Sequence, residues 1–81
     1  MDIKELTVRV RDLGLAASLV SCDFEILQTS WDTSGRAYFI FKQSEELNGV
    51  VKHYWSDTLN VKARRLIENS KMLKSMIYAE R

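Results

Sequence analysis

The chain has 81 residues, 46% of them apolar and 28% charged, with no proline, three glycines and a formal net charge of +1. That length and mixture exclude a second domain, a disordered tail and a low-complexity linker. The charge is uneven: from Asn60 onward Lys62, Arg64, Arg65, Lys71, Lys74 and Arg81 face Glu68 and Glu80, a basic strip on a mildly acidic body.

The longest uncharged run, Leu13 to Cys22, is about half the length that spans a bilayer. The opening segment MDIKELTVRVRD mixes both charge signs and lacks the apolar core of a secretion signal. Cys22 is the single cysteine, so no internal disulfide can form. Together these features predict one cytoplasmic domain over residues 1–81, with no membrane segment.

Leu6, Val8 and Val10 alternate with Thr7, Arg9 and Arg11, which predicts a short strand. Nothing local decides whether it joins a sheet. Asp12 then suits the N-cap of a helix, its carboxylate accepting from the free N–H groups of the first turn. Leu13, Ala16, Ala17 and Val20 keep helical spacing, and Leu15 and Leu19 widen the stripe. A helix so small and apolar should lie against a sheet and stop near Cys22 and Asp23.

Residues 24–31 and 36–43 read as two strands around Asp32-Thr33-Ser34-Gly35, a four-residue hairpin turn built on type I geometry. Pairing Trp31 with Arg36 sets Ser30 opposite Ala37, Gln28 opposite Phe39 and Ile26 opposite Phe41. Phe24, Ile26, Phe39 and Phe41 then face the core. The other face pairs Glu25 with Lys42, Leu27 with Ile40, Thr29 with Tyr38 and Trp31 with Arg36. It offers an ion pair at Glu25–Lys42 and a cation–π contact at Trp31–Arg36. A slip of one residue would exchange the two faces.

Ser44 suits the next N-cap, with Glu45 and Glu46 at the positive end of the helix dipole. Leu47, Val50, Val51 and Tyr54 form that helix's apolar stripe, with Trp55 at its margin. Gly49 inside it costs about 1 kcal/mol relative to alanine, which close approach of another backbone would explain. Asn60 suits the cap of a last helix from about Lys62 to Tyr78, with Leu66, Ile67, Leu73 and Ile77 inward and Met72 and Met76 at the edges. The order is β-α-β-β-α-α, an α+β fold: a small two-layer domain with a central antiparallel hairpin packed on helices.

Three stretches carry a likeness: RDLGLAASL, a polar cap before a small-residue helix; RAYFIFKQSEEL, an aromatic strand running into an acidic helix start; and VKARRLIENSKMLKSMIY, with an early basic pair and a late K-x-x-I-Y ending. On them the chain resembles a family of short bacterial and phage domains of unknown function, from about Val8 to Tyr78. The resemblance implies the same fold and no activity. The family favours glycine where the first helix ends, and Asp23 stands there instead.

No reactive constellation is visible. His53 is the single histidine, without the partners that catalysis or metal binding needs. Cys22 falls at a helix C-terminus beside Asp23, the wrong setting for a thiolate. Glu45 and Glu46 are explained by the helix start, and the glycines are too scattered to cradle phosphate. The reading is of a non-enzyme with no catalytic residue, no cofactor, no metal ligand and no small-molecule substrate.

Two surfaces keep functional weight. One is the outer hairpin face with Trp31, Arg36 and Tyr38; the other is the basic strip with Lys62, Arg64, Arg65 and Lys71. The leading expectation is a non-catalytic interaction module that docks a protein partner or a second copy of itself on its apolar surface. The alternative is a nucleic-acid-binding accessory domain, with the C-terminal helix on phosphates and Trp31 and Tyr38 on bases. For the strip, a solvated face with an Arg64–Glu68 pair is the plainer account.

Overall fold

The computed structural model describes residues 6–79. Strand β1 spans Thr7–Val10, helix α1 Leu13–Ser21, strands β2 Ile26–Trp31 and β3 Ala37–Lys42, and helices α2 Glu45–Trp55 and α3 Ala63–Ala79. The β-α-β-β-α-α order of an α+β fold is as the sequence indicates. Glu80 and Arg81, part of the C-terminal charge balance, lie outside the described residues.

The first strand does join the sheet, on the far side of β3, giving the order β1-β3-β2 with both pairings antiparallel. Val8 sits opposite Phe41 and Val10 opposite Phe39, so the inward residues of both strands meet on one face. The helices cover that face. The molecule measures 35 × 34 × 19 Å, the thin dimension holding one sheet and one helical layer.

Helix α1 lies at the centre, with Leu15, Ala16, Ala17, Ser18 and Leu19 all buried in succession. A helix buried around most of its circumference needs small side chains, and two alanines and two serines supply them. The Ser18 and Ser21 hydroxyls donate to the Gly14 and Ala17 carbonyls at 2.8 Å, so neither is left unpaired. Asn69 of α3 donates to the Ser21 oxygen at 2.9 Å and ties the two helices together.

Two of the three expected caps form. Asp12 Oδ1 accepts from the Leu15 N–H at 2.8 Å, and Ser44 Oγ from the Leu47 N–H at 3.1 Å. The same Asp12 oxygen also accepts from the Tyr54 hydroxyl at 3.0 Å, joining the start of α1 to the end of α2. Gly14 makes room for this: a Cβ there would stand 2.6 Å from the Tyr54 hydroxyl. Close approach therefore explains Gly14, not Gly49, which meets nothing within 4 Å.

Helices α1 and α2 end alike. The N–H groups of Asp23 and Phe24 bond to the carbonyls of Val20 and Leu19, and those of Asp57 and Thr58 to the carbonyls of Tyr54 and His53. Each is a Schellman motif, in which the residue after the cap turns left-handed. Asp23 (φ 70°) and Asp57 (φ 59°) hold that position, where glycine is the easier choice.

The hairpin register differs from expectation near its tip. Asp32 N–H donates to the Arg36 carbonyl at 2.9 Å and Gly35 N–H to the Asp32 carbonyl at 3.0 Å, with Gly35 at φ +83°. The loop is therefore three residues, Thr33 to Gly35, ending in a left-handed glycine. Asp32 faces Arg36, and Trp31 pairs with Ala37, not with Arg36. A bulge between Ile26 and Gln28 absorbs the shift, so Ile26 still meets Phe41. Phe39 and Phe41 are buried as expected, but Trp31 and Thr29 move to their side of the sheet. Neither the Glu25–Lys42 ion pair nor the Trp31–Arg36 contact forms among the described residues.

Asp32 also clamps the loop with its side chain. Oδ1 accepts from the Ser34 hydroxyl at 2.6 Å, the Ser34 N–H at 2.9 Å and the Arg36 N–H at 3.0 Å. The Ser34 hydroxyl first, then the Arg36 N–H, hold its pKa down to about 2, from an ordinary 3.8. A carboxylate with a depressed folded-state pKa contributes stability above its unfolded value and loses it as pH falls through the folded one. The melting-temperature gap between wild type and Asp32→Ala should therefore be open at neutral pH. It should close as pH falls from 3.8 toward about 2. Melts followed by circular dichroism check this, and a gap that persists unchanged in acid removes the clamp.

Helix α3 is rotated from its expected orientation. Leu73 is fully buried, and Leu66, Met76 and Ile77 pack on the core, but Ile67 is 55% exposed. The Asn69 amide, drawn toward Ser21, takes the inward arc and turns Ile67 out. Asn60 does not cap this helix: its first hydrogen bond runs from the Leu66 N–H to the Lys62 carbonyl.

Candidate functional site

The sheet has a second face, directed away from the core. On β1 it carries Thr7 and Arg9, with Arg11 continuing the alternation; on β3, Tyr38, Ile40 and Lys42; on β2, Gln28 and Ser30. Among the described residues no helix lies over it. Ile40 and Tyr38 remain half-exposed in the central strand, while Arg9, Arg11, Arg36, Lys42 and Gln28 are exposed around them.

Antiparallel pairing fixes the arrangement. Val10 stands opposite Phe39 and Arg9 opposite Ile40, so the arginines on either side of Val10 flank Tyr38. The Arg9 guanidinium carbon is 5.3 Å from the centre of the Tyr38 ring and that of Arg11 is 4.9 Å away. Both distances lie within the reach of cation–π attraction. Arg11 also bonds to Asp32 Oδ2 at 2.7 Å, tying the end of β1 to the hairpin loop. On the other side of β3, along β2, Gln28 Nε2 donates to Ser30 Oγ at 3.0 Å. The result is a shallow wall with an aromatic ring at its centre, cations on one flank and amide and hydroxyl groups on the other.

Of the expected surface residues, Tyr38 and Arg36 belong to this wall. Trp31 does not: it pairs with Ala37 on the opposite face, and its indole N–H is buried without a hydrogen-bond partner among the described residues. Lys62, Arg64, Arg65 and Lys71 are carried by the helical layer and do not meet the wall. Arg64 bonds to Glu68 at 3.3 Å and Arg65 pairs with Asp23, so two of the strip's cations are already matched. Lys62 and Lys71 stay exposed.

Arg9 and Arg11 were missing from the sequence-based surface. Their alternation with Val8 and Val10 already placed them on the outward face of a strand. What sequence withheld was the neighbour of that strand.

The remaining polar groups lie elsewhere on the molecule. His53 Nδ1 lies 2.8 Å from the Thr58 hydroxyl, both exposed at the end of α2. Burial, then the neighbouring Asp23, push the Cys22 thiol pKa above its ordinary value, with Arg65 opposing. The Tyr54 hydroxyl is pushed up by burial and by its bond to Asp12. A cleft of about 380 Å³ beside the end of α2 is walled by Tyr54, Trp55, Leu59, Val61 and Leu66, with Asp57 at its rim. Among the described residues, no three His, Cys, Asp or Glu side chains gather as metal ligands, and no helix is long and apolar enough to cross a membrane.

Fold and site define a small α+β domain with a three-stranded antiparallel sheet, helices on one face and a basic, aromatic-centred surface on the other. A family model described as a domain of unknown function (DUF5659) matches residues 5–79, and the chain belongs to that family. No curated protein and no solved structure matches the chain.

Proposed function

We propose that this chain is a non-catalytic interaction module that binds an anionic polymer on the bare face of its sheet. One observation carries the reading: Arg9 and Arg11 converge on Tyr38 in the middle of an uncovered sheet, with Lys42 at the end of the same strand and Arg36 just before its start. Cations grouped around a fixed ring raise the local concentration of anions whatever the net charge of the chain. Two copies meeting through this face would set arginine against arginine, so self-association here is disfavoured. The single cysteine supports a reducing, cytoplasmic setting.

A second reading has its own support on the helical side. Trp55, Ile67 and Tyr78 are exposed there at 63%, 55% and 68%, large side chains whose apolar surface is left in water. A protein partner or a second copy would cover them.

Retention on phosphocellulose tests the first reading. At about 50 mM salt the wild-type chain should be held and should elute as salt rises. The Arg9→Glu/Arg36→Glu double variant should flow through, and Lys62→Glu/Lys71→Glu should still be held. Wild-type flow-through ends the polyanion reading. Sedimentation equilibrium of the same sample addresses the second: a monomer at every concentration removes self-association.

A further inference from the structure

Resting on the polyanion reading, we infer that the bare sheet face takes single-stranded nucleic acid, with Tyr38 and its two arginines as the platform for an unpaired base. Three features point past charge alone.

The first is shape. A duplex exposes base edges at the bottom of grooves that admit a helix or a two-stranded ribbon. Here the ring stands on the middle strand of three, in a broad wall with β1 on one side and β2 on the other. Such a wall does not enter a groove. A single strand can lie across it with its bases turned flat onto the surface.

The second is the ring. A surface built to attract phosphate alone needs cations, and an aromatic group adds nothing to that attraction. Unpaired bases stack on tyrosine rings and on guanidinium planes. With Arg9 and Arg11 both about the ring, the site offers these two kinds of surface in one place. Each guanidinium keeps N–H groups for phosphate oxygens; Arg11 shares its own with Asp32, while Arg9 has no ion pair among the described residues.

The third is the polar flank. Gln28 and Ser30 lie beside the ring on β2, and Ser30 is the direct cross-strand partner of Tyr38. An amide and a hydroxyl there can meet the edge of a stacked base with both donors and acceptors. The carboxylates of an acidic protein would use the arginines and leave this amide and the ring idle.

Fluorescence anisotropy of the full chain with a labelled oligothymidylate, a duplex of equal length and inorganic polyphosphate as competitor separates the outcomes. The single strand should bind more tightly than the duplex at equal salt. Tyr38→Ala should weaken single-strand binding about tenfold, Tyr38→Phe should restore it to within about twofold, and neither should change competition by polyphosphate as much. Arg9→Gln should weaken both ligands. Melting curves of each variant confirm that it is folded.

If duplex or polyphosphate binds as tightly as the single strand and Tyr38→Ala has no effect, this inference fails while the polyanion reading stands. If neither oligonucleotide nor polyphosphate binds at low salt, both fail.

Discussion

Replacing Phe39 by alanine should remove about 3–5 kcal/mol of stability, and replacing its neighbour Tyr38 about 1 kcal/mol. The two side chains are adjacent on β3 and similar in size, so the contrast isolates the face each one occupies. Phe39 is 1% exposed, opposite Val10 and inside the core that α1 completes. Its removal leaves a cavity that rigid neighbours cannot refill. Tyr38 faces outward, where its losses are cross-strand packing and two guanidinium contacts. For a domain with about 5–10 kcal/mol in total, the first change costs a large share and the second a small one. Urea or thermal unfolding followed by circular dichroism reads both. Equal losses would mean that the assigned faces of β3 are wrong, and the candidate surface would go with them.

A second contrast lies within α3. Leu73→Ala should cost about 2–5 kcal/mol, whereas Ile67→Ala should fall within about 0.5 kcal/mol of wild type. By periodicity both residues belong to one apolar stripe. In the fold Leu73 is fully buried and Ile67 is 55% exposed. The difference comes from the Asn69–Ser21 hydrogen bond, which holds a polar residue on the inward arc and rolls the helix away from Ile67. In a chain of this size a change of 1 kcal/mol moves the melting temperature by about 4–8 °C, so the two variants are easily told apart. Comparable losses at the two positions would show that the helix sits as its periodicity suggests.

These contrasts show where local pattern stops. Helix ends were legible because their chemistry is local: Asp12 and Ser44 lie within three residues of the N–H groups they cap. The inward face of β3 was legible because Phe39 and Phe41, its two phenylalanines, stand two residues apart and so share one side of the strand. The hairpin tip lies one residue away from the four-residue turn that its sequence suggests. Its signal was present in the glycine that closes the loop, since a left-handed residue there favours a three-residue turn. That single step exchanged the faces of Trp31 and Thr29, and the bulge at Leu27 then undid the exchange for Ile26.

Sequence alone therefore determined the element order, the caps of α1 and α2 and the hydrophobic side of the central strand. Each depends on residues within a turn or two of one another. The tertiary structure decided which strand lies beside β3, how α3 is rolled and where Trp31 points. It alone brought Arg9 and Arg11 to Tyr38, a meeting across long sequence separation. Pairing of distant strands depends on the packing of the whole chain, and a local repeat of two or 3.6 residues carries no record of it.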